Sequence, residues 1–190
     1  QFSVSFNNSK AFEPGGYLTD YYTDEAIKVI EKNRNRPFFL YLGHFAPHNP
    51  LQSLKEDYDH FHHLQGDDQH KLRVYSGMLK SLDRGIGKIL DALENLGISD
   101  NTLIIFSSDN GGADYIHLSN INKPYRGWKL THFEGGMHIP FMAKWPNKIK
   151  AGSIYDYPIH QNDILPTVAE AAGAQIPNDR IIDGKNLIPY

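Results

Sequence analysis

The sequence predicts an α/β fold in which a mixed, mostly parallel sheet is flanked by helices. Three observations predict it. Short continuous apolar runs recur at 38–42, 103–106 and 139–143, a length that suits buried strands. Segments with apolar residues every three or four positions lie before, between and after those runs. Strands that alternate with helices are most simply joined as a mainly parallel sheet.

The elements follow in order. Residues up to Gly16 are polar and carry a Pro-Gly-Gly turn signal, so they read as a loop or weak strand. Thr23 offers an N-cap for a helix to about Asn33, with Asp24 and Glu25 in its first turn and Ala26, Ile27, Val29 and Ile30 as its apolar face. The run 38–42 reads as a strand buried on both faces, and Pro47 and Pro50 keep the following loop from being helical. From Gln69 to Leu96 the apolar positions Leu72, Tyr75, Met78, Leu79, Leu82, Ile86, Ile89, Leu90 and Leu93 predict one long helix, stopped by Gly97. A strand at 103–106 leads into a polar turn, and a long loop precedes a strand at 139–143. A last helix is expected from an Asp163 cap to a Gly173 stop. With no internal repeat or clear linker, residues 1–190 read as one domain, or a piece of one.

Composition narrows the chemistry. The 190 residues are 40% hydrophobic and 22% charged, which suits an ordinary globular chain. Its formal charge of −3 gives no basic excess for nucleic acid, so an anionic substrate would need local cations. The absence of cysteine removes thiolate metal sites and cysteine nucleophiles from this chain. No apolar run is long enough for a membrane span.

In open α/β sheets ligands bind beyond the carboxyl ends of strands. Three polar clusters are expected there: His44 and His48 after the run 38–42, Asp109 with Asn110 after 103–106, and Arg126 with Lys129 before 139–143. A carboxylate beside an amide carbonyl suits Ca²⁺, with Mg²⁺ as second choice; an Asn-Gly pair after a strand is equally a plain turn signal. His48 could hydrogen-bond an anionic oxygen or protonate a leaving group, and Lys129 could give a point charge to a sulfate or phosphate oxygen. His60, His62, His63 and His70 match no zinc spacing and read as a solvated histidine-rich loop. Tyr115, His117, Tyr125 and Trp128 could stack on a sugar ring or serve only in packing.

Four stretches in fixed order, PFFLYLGHFAPHNPLQ, YSGMLKSLDRGIGKILDALENLGISDNTLIIFSSDNGG, YRGWKLTHFEGGMHIPFMAKWP and HQNDILPTVAEAAG, resemble the sulfatase family of the arylsulfatase and glycosaminoglycan-sulfatase type. The resemblance implies an alkaline-phosphatase-like fold and hydrolysis of sulfate esters, releasing inorganic sulfate, with a sulfated carbohydrate as the expected substrate. It implies that Asp109 and Asn110 ligate calcium, that Lys129 holds a sulfate oxygen, and that His48 contacts the sulfate and the ester oxygen. Family members attack with a formylglycine made within a Cys/Ser-x-Pro/Ala-x-Arg motif, which 1–190 lacks. The chain is therefore expected to be the C-terminal part of a catalytic domain, inactive alone, with the nucleophile, two further calcium-binding aspartates and a Lys-x-His segment upstream. Family habit implies export to a periplasmic, secreted or lysosomal space. The alternatives are a phosphoester or phosphonate hydrolase of the same superfamily and a non-catalytic binder of sulfated glycans.

Overall fold

The computed structural model describes residues 3–66, 68–118 and 120–190. Its elements are α1 (Leu18–Asn33), α2 (Lys55–His60), α3 (Gln69–Asn95), β1 (Ile104–Ser107), α4 (Glu134–Met137), β2 (Phe141–Lys144) and α5 (Ile164–Ala171), with β1 and β2 paired. The chain forms two compact units. One holds Gln1–Ser99 and Phe106–Met142, and the other Asp100–Ile105 and Ala143–Tyr190. No helix among the described residues is long and apolar enough to cross a membrane.

In the first unit, α1 and α2 pack on α3. Thr19, Thr23, Ala26 and Ile30 recur at helical spacing and are the buried face of α1. Thr23 is therefore a core residue within the helix, which starts at Leu18 rather than at the expected cap; its hydroxyl donates to the Thr19 carbonyl at 3.0 Å. Val29, expected on the apolar face, lies on the exposed side. On α3 the matching positions are Val74, Gly77, Met78, Ser81 and Gly85. The small ones permit close approach: a Cβ on Gly85 would strike the Thr23 hydroxyl, and one on Gly77 would crowd Ser53 and the Asp57 backbone.

Helix α2 went unforeseen, and its buried anchor is polar. Asp57, 1% exposed, accepts hydrogen bonds from Ser81 Oγ at 2.6 Å and from the Arg84 guanidinium at 2.7 and 3.0 Å. Burial pushes the Asp57 carboxyl up, but the bonds from Arg84 and Ser81 outweigh that and hold it below the usual carboxylate range.

Helix α3 ends as expected. Gly97 adopts φ +68, and the N–H groups of Gly97 and Ile98 close on the carbonyls of Glu94 and Leu93, satisfying the last turn. The expected strand at 38–42 takes a different form. It pairs with no described strand, and its burial alternates: Phe38, Leu40 and Leu42 are half-buried, while Phe39 and Tyr41 are 73% and 84% exposed. The period is that of a strand, but only one face is covered. β1 and β2 each sit a residue or two beyond their expected starts.

In the second unit, Gly173 at φ +64 stops α5 as expected. Asp163 precedes the helix, yet its carboxylate caps nothing in it. It accepts instead from the His160 and Lys185 backbone N–H groups, both at 2.7 Å, and these bonds hold its pKa below the usual range. Distant chain segments thus compete successfully for a side chain that local sequence assigns to a cap.

The opening segment, expected as a loop or weak strand, is a loop closed by a single antiparallel bridge between Val4 and Phe12.

Candidate active site

β1 delivers Ser108, Asp109, Asn110, Gly111 and Gly112 from its carboxyl end. Ser107 Oγ donates to the Pro140 carbonyl at 3.0 Å, and Ser108 Oγ to the Asn110 carbonyl at 2.9 Å, which tightens the turn. Asn110 Nδ2 donates to the Gly111 carbonyl at 2.9 Å. The amide nitrogen is thereby engaged, and the carbonyl oxygen is the end Asn110 presents, next to the exposed Asp109 carboxylate. Two adjacent hard oxygen donors fit Ca²⁺ in kind, and supply only part of the six to eight ligands it takes. Among the described residues no group of three His, Cys, Asp or Glu side chains is placed to hold a metal.

The loop from Asn122 to Gly136 is stitched to this turn. Asn122 accepts from the Gly112 N–H at 2.7 Å and donates to the carbonyls of Gly112 at 2.9 Å and Gly127 at 3.1 Å. The Lys129 N–H donates to the Gly112 carbonyl at 3.1 Å, and the Gly111 N–H to the Gly136 carbonyl at 3.0 Å. The contact between Gly111 and Gly135 is so close that a Cβ on Gly111 would overlap the Gly135 carbonyl. Lys129 itself lies in a tight turn from Trp128 to Thr131, closed by the Thr131 N–H on the Trp128 carbonyl at 2.9 Å, with Leu130 at φ +78. The Arg126 guanidinium stacks 4.0 Å from the centre of the Phe133 ring. Asp109, Asn110 and Lys129 therefore stand on one hydrogen-bonded assembly of two loops.

His48 belongs to another loop of the same unit. Its N–H donates to the Phe45 carbonyl at 2.9 Å, and its ring lies 5.2 Å from that of Phe45. Nδ1 is 2.9 Å from the Asn49 carbonyl. A carbonyl only accepts, so Nδ1 carries the proton and Nε2 is the atom left to face a substrate. The next residue, Asn49, lines a cavity of about 310 Å³ together with Tyr115 and His117 from the segment that joins Gly112 to Asn122. His44, equivalent to His48 by sequence alone, has both ring nitrogens buried with no partner among the described residues, and burial pushes its pKa down.

Of the four aromatic candidates, Tyr115 and His117 line that cavity, whereas Tyr125 stacks on His138 with ring centroids 4.3 Å apart. The expected histidine-rich loop is only partly a loop, since His60 ends α2 and His70 lies in the first turn of α3; His62 meets the Asp59 carbonyl at 3.1 Å and His70 the Tyr58 hydroxyl at 3.1 Å. Asn122 is the positioning residue that sequence reasoning missed. A single Asn in a polar loop carries no spacing signal, and its role exists only once the two loops meet.

The family model Sulfatase matches residues 3–174. The chain belongs to the sulfatase family. It is 38% identical to the steryl-sulfatase of Homo sapiens over 179 residues, covering 90% of this chain and 29% of that protein. To the N-acetylgalactosamine-6-sulfatase of Mus musculus it is 38% identical over 177 residues, 90% of this chain and 32% of that one. The crystal structure of Ps i-CgsB in complex with k-i-k-neocarrahexaose superposes with a TM-score of 0.88 at 37% identity, covering 96% of this chain and 40% of that chain. The fold of this sulfatase-family chain is accordingly α/β and alkaline-phosphatase-like. The chain spans about a third of the length of the curated relatives it matches.

Proposed function

We propose that the protein containing this chain is a sulfuric ester hydrolase that releases inorganic sulfate from a sulfated carbohydrate. The observation that carries the reading is the joined pair of loops, which ties the backbone of Lys129 to the turn that carries two hard oxygen donors, in a chain that matches the sulfatase family over 3–174. Asp109 and Asn110 would hold Ca²⁺ together with ligands from outside the described residues; the ion supplies positive charge against the sulfate oxygens. The formylglycine that family membership implies supplies the nucleophile.

This chain's own residues perform the remaining work. Lys129 places a point charge on a sulfate oxygen and stabilises the charge that develops as the ester bond breaks. His48, with Nδ1–H anchored on the Asn49 carbonyl, directs Nε2 to the ester oxygen; in its doubly protonated form it hands the Nε2 proton to that oxygen as the alcohol leaves, and the ring is left neutral with Nδ1–H in place. Asn122 fixes the spacing between the Lys129 turn and the Asp109–Asn110 turn. The sulfated-carbohydrate assignment is supported by two relatives, the Mus musculus N-acetylgalactosamine-6-sulfatase and Ps i-CgsB with its bound neocarrahexaose. Family membership supports an exported location, periplasmic, secreted or lysosomal.

The test is inorganic sulfate release from a generic aryl sulfate by the complete protein, with an aryl phosphate assayed in parallel. Lys129→Ala and Asp109→Ala are each expected to lower kcat/KM for the sulfate ester about a hundredfold or more. Unchanged kinetics in both variants, or a preference for the phosphate ester, would overturn the assignment.

A further inference from the structure

The cavity beside His48 has a composition that the hydrolysis of one sulfate ester does not use. Its walls include His70 and Lys71 from α3, His117 and Tyr115 from the loop after β1, and Asn49; none of the described residues that line it is acidic. In a chain whose formal charge is −3, a recess lined by one ammonium group and two imidazoles runs against the overall balance. The Tyr58 hydroxyl meets His70 Nδ1 at 3.1 Å and holds that ring, and the backbone N–H of His117 closes on the Asp114 carbonyl at 2.7 Å, which fixes the chain at that point. Among the described residues Lys71 pairs with one carboxylate, Asp68, at 4.0 Å with both side chains nearly half exposed, a pairing weak enough for a bound anion to compete with. Tyr115 is 43% exposed and adds an apolar ring surface to the charged wall.

Position gives this recess its meaning. Asn49 is the residue whose carbonyl holds His48 Nδ1, so the cavity begins one residue from the proposed proton donor. The proton goes to the leaving-group oxygen, and whatever the leaving alcohol is attached to extends from that side. We propose that the cavity is a subsite for a second anionic group, a sulfate or carboxylate carried by the neighbouring unit of a polyanionic saccharide, with Lys71 as its cationic contact, His117 as a hydrogen-bond partner and Tyr115 against the sugar ring. This inference rests on the sulfatase reading and sharpens it: the substrate class is an oligosaccharide charged at more than one unit, rather than an isolated monosulfate.

The experiment measures equilibrium binding of the complete protein to three tetrasaccharides of one backbone, sulfated on every unit, carboxylated on every unit, or neutral, alongside turnover of a small aryl sulfate. Lys71→Gln is expected to weaken binding of the preferred charged tetrasaccharide about three- to tenfold, more so in Lys71→Gln with His117→Gln and less so at high salt, with aryl sulfate turnover unchanged. The sulfated and carboxylated arms identify which anion the subsite takes. The subsite is overturned if the neutral tetrasaccharide binds as well as the charged ones, if both variants keep wild-type affinity, or if aryl sulfate turnover falls in parallel. Loss of binding on Lys71→Gln in a protein that hydrolyses no sulfate ester would uphold the subsite and remove the hydrolase reading. Full turnover with affinity indifferent to Lys71 would do the reverse.

Discussion

Two side chains carry more of the structure than their residue types suggest. Asp57 is a carboxylate almost without solvent, and Arg84 is its charge partner. Arg84→Ala strands that charge, and unfolding of the variant in urea is expected to show a loss of about 3 kcal/mol, near the lower end for a broken buried pair because Arg84 is itself about a third exposed. Asn122 is the second. Its amide makes three backbone hydrogen bonds at once, as acceptor for the Gly112 N–H and donor to two carbonyls. Asn122→Ala should cost about 1–3 kcal/mol of stability and lower sulfate release at least tenfold, because the Lys129 turn loses its spacing. Asn122→Asp should not rescue it, since a carboxylate facing the Gly112 and Gly127 carbonyls can donate to neither. Equal activity of Asn122→Asp and the wild type in a sulfate-release assay would show that the amide has no such role.

At the scale of elements, local rules worked where the decisive interaction was local. α3 and α5 form where their apolar periodicity places them, although Leu79, expected on the apolar face of α3, lies on its exposed side, and Gly97 and Gly173 stop them through left-handed backbone that few other residues take without cost. Gly97→Ala should therefore cost about 1 kcal/mol in the same urea assay, with activity kept. Gly111 answers to a different constraint. A methyl group there meets a backbone carbonyl that cannot swing aside, so Gly111→Ala should separate the two loops and abolish turnover while far-ultraviolet circular dichroism stays native. Local rules failed at Thr23 and Asp163 for one reason. A threonine before two acids reads as a cap, and an aspartate before an apolar run reads likewise, but helix α3 in one case and the Lys185 backbone in the other offered a better partner. The run 38–42 failed as a two-sided strand because sequence reports hydrophobicity, while coverage depends on neighbours from elsewhere.

The molecule as a whole responds to acid through groups that folding has shifted, His44 by burial and Asp57 and Asp163 by the hydrogen bonds they accept. His44 has its pKa pushed down, so the unfolded chain binds its proton first; its contribution to stability is complete above about pH 6.5 and is lost as pH falls through the lower folded value. Asp57 and Asp163 are also held low, and their contributions are lost only below about pH 4. Urea midpoints of the complete protein should thus begin to fall below about pH 6.5, and His44→Phe should remove that first decline and leave the second. A decline that persists unchanged in the variant would assign it to other groups. The sequence by itself determined the α/β class, the long helices and their glycine stops, and the residues able to bind an anion or a hard cation, because periodicity, backbone freedom and donor chemistry belong to residues and short stretches. Only the tertiary structure decided that Asp109, Asn110 and Lys129 share one assembly, that Asn122 joins it, that His48 is exposed while the His44 ring nitrogens are buried, and that a recess lined by Asn49, Lys71 and His117 opens in the same unit. Those facts are distances between residues far apart in the chain, and they come into being only when buried backbone groups choose their partners.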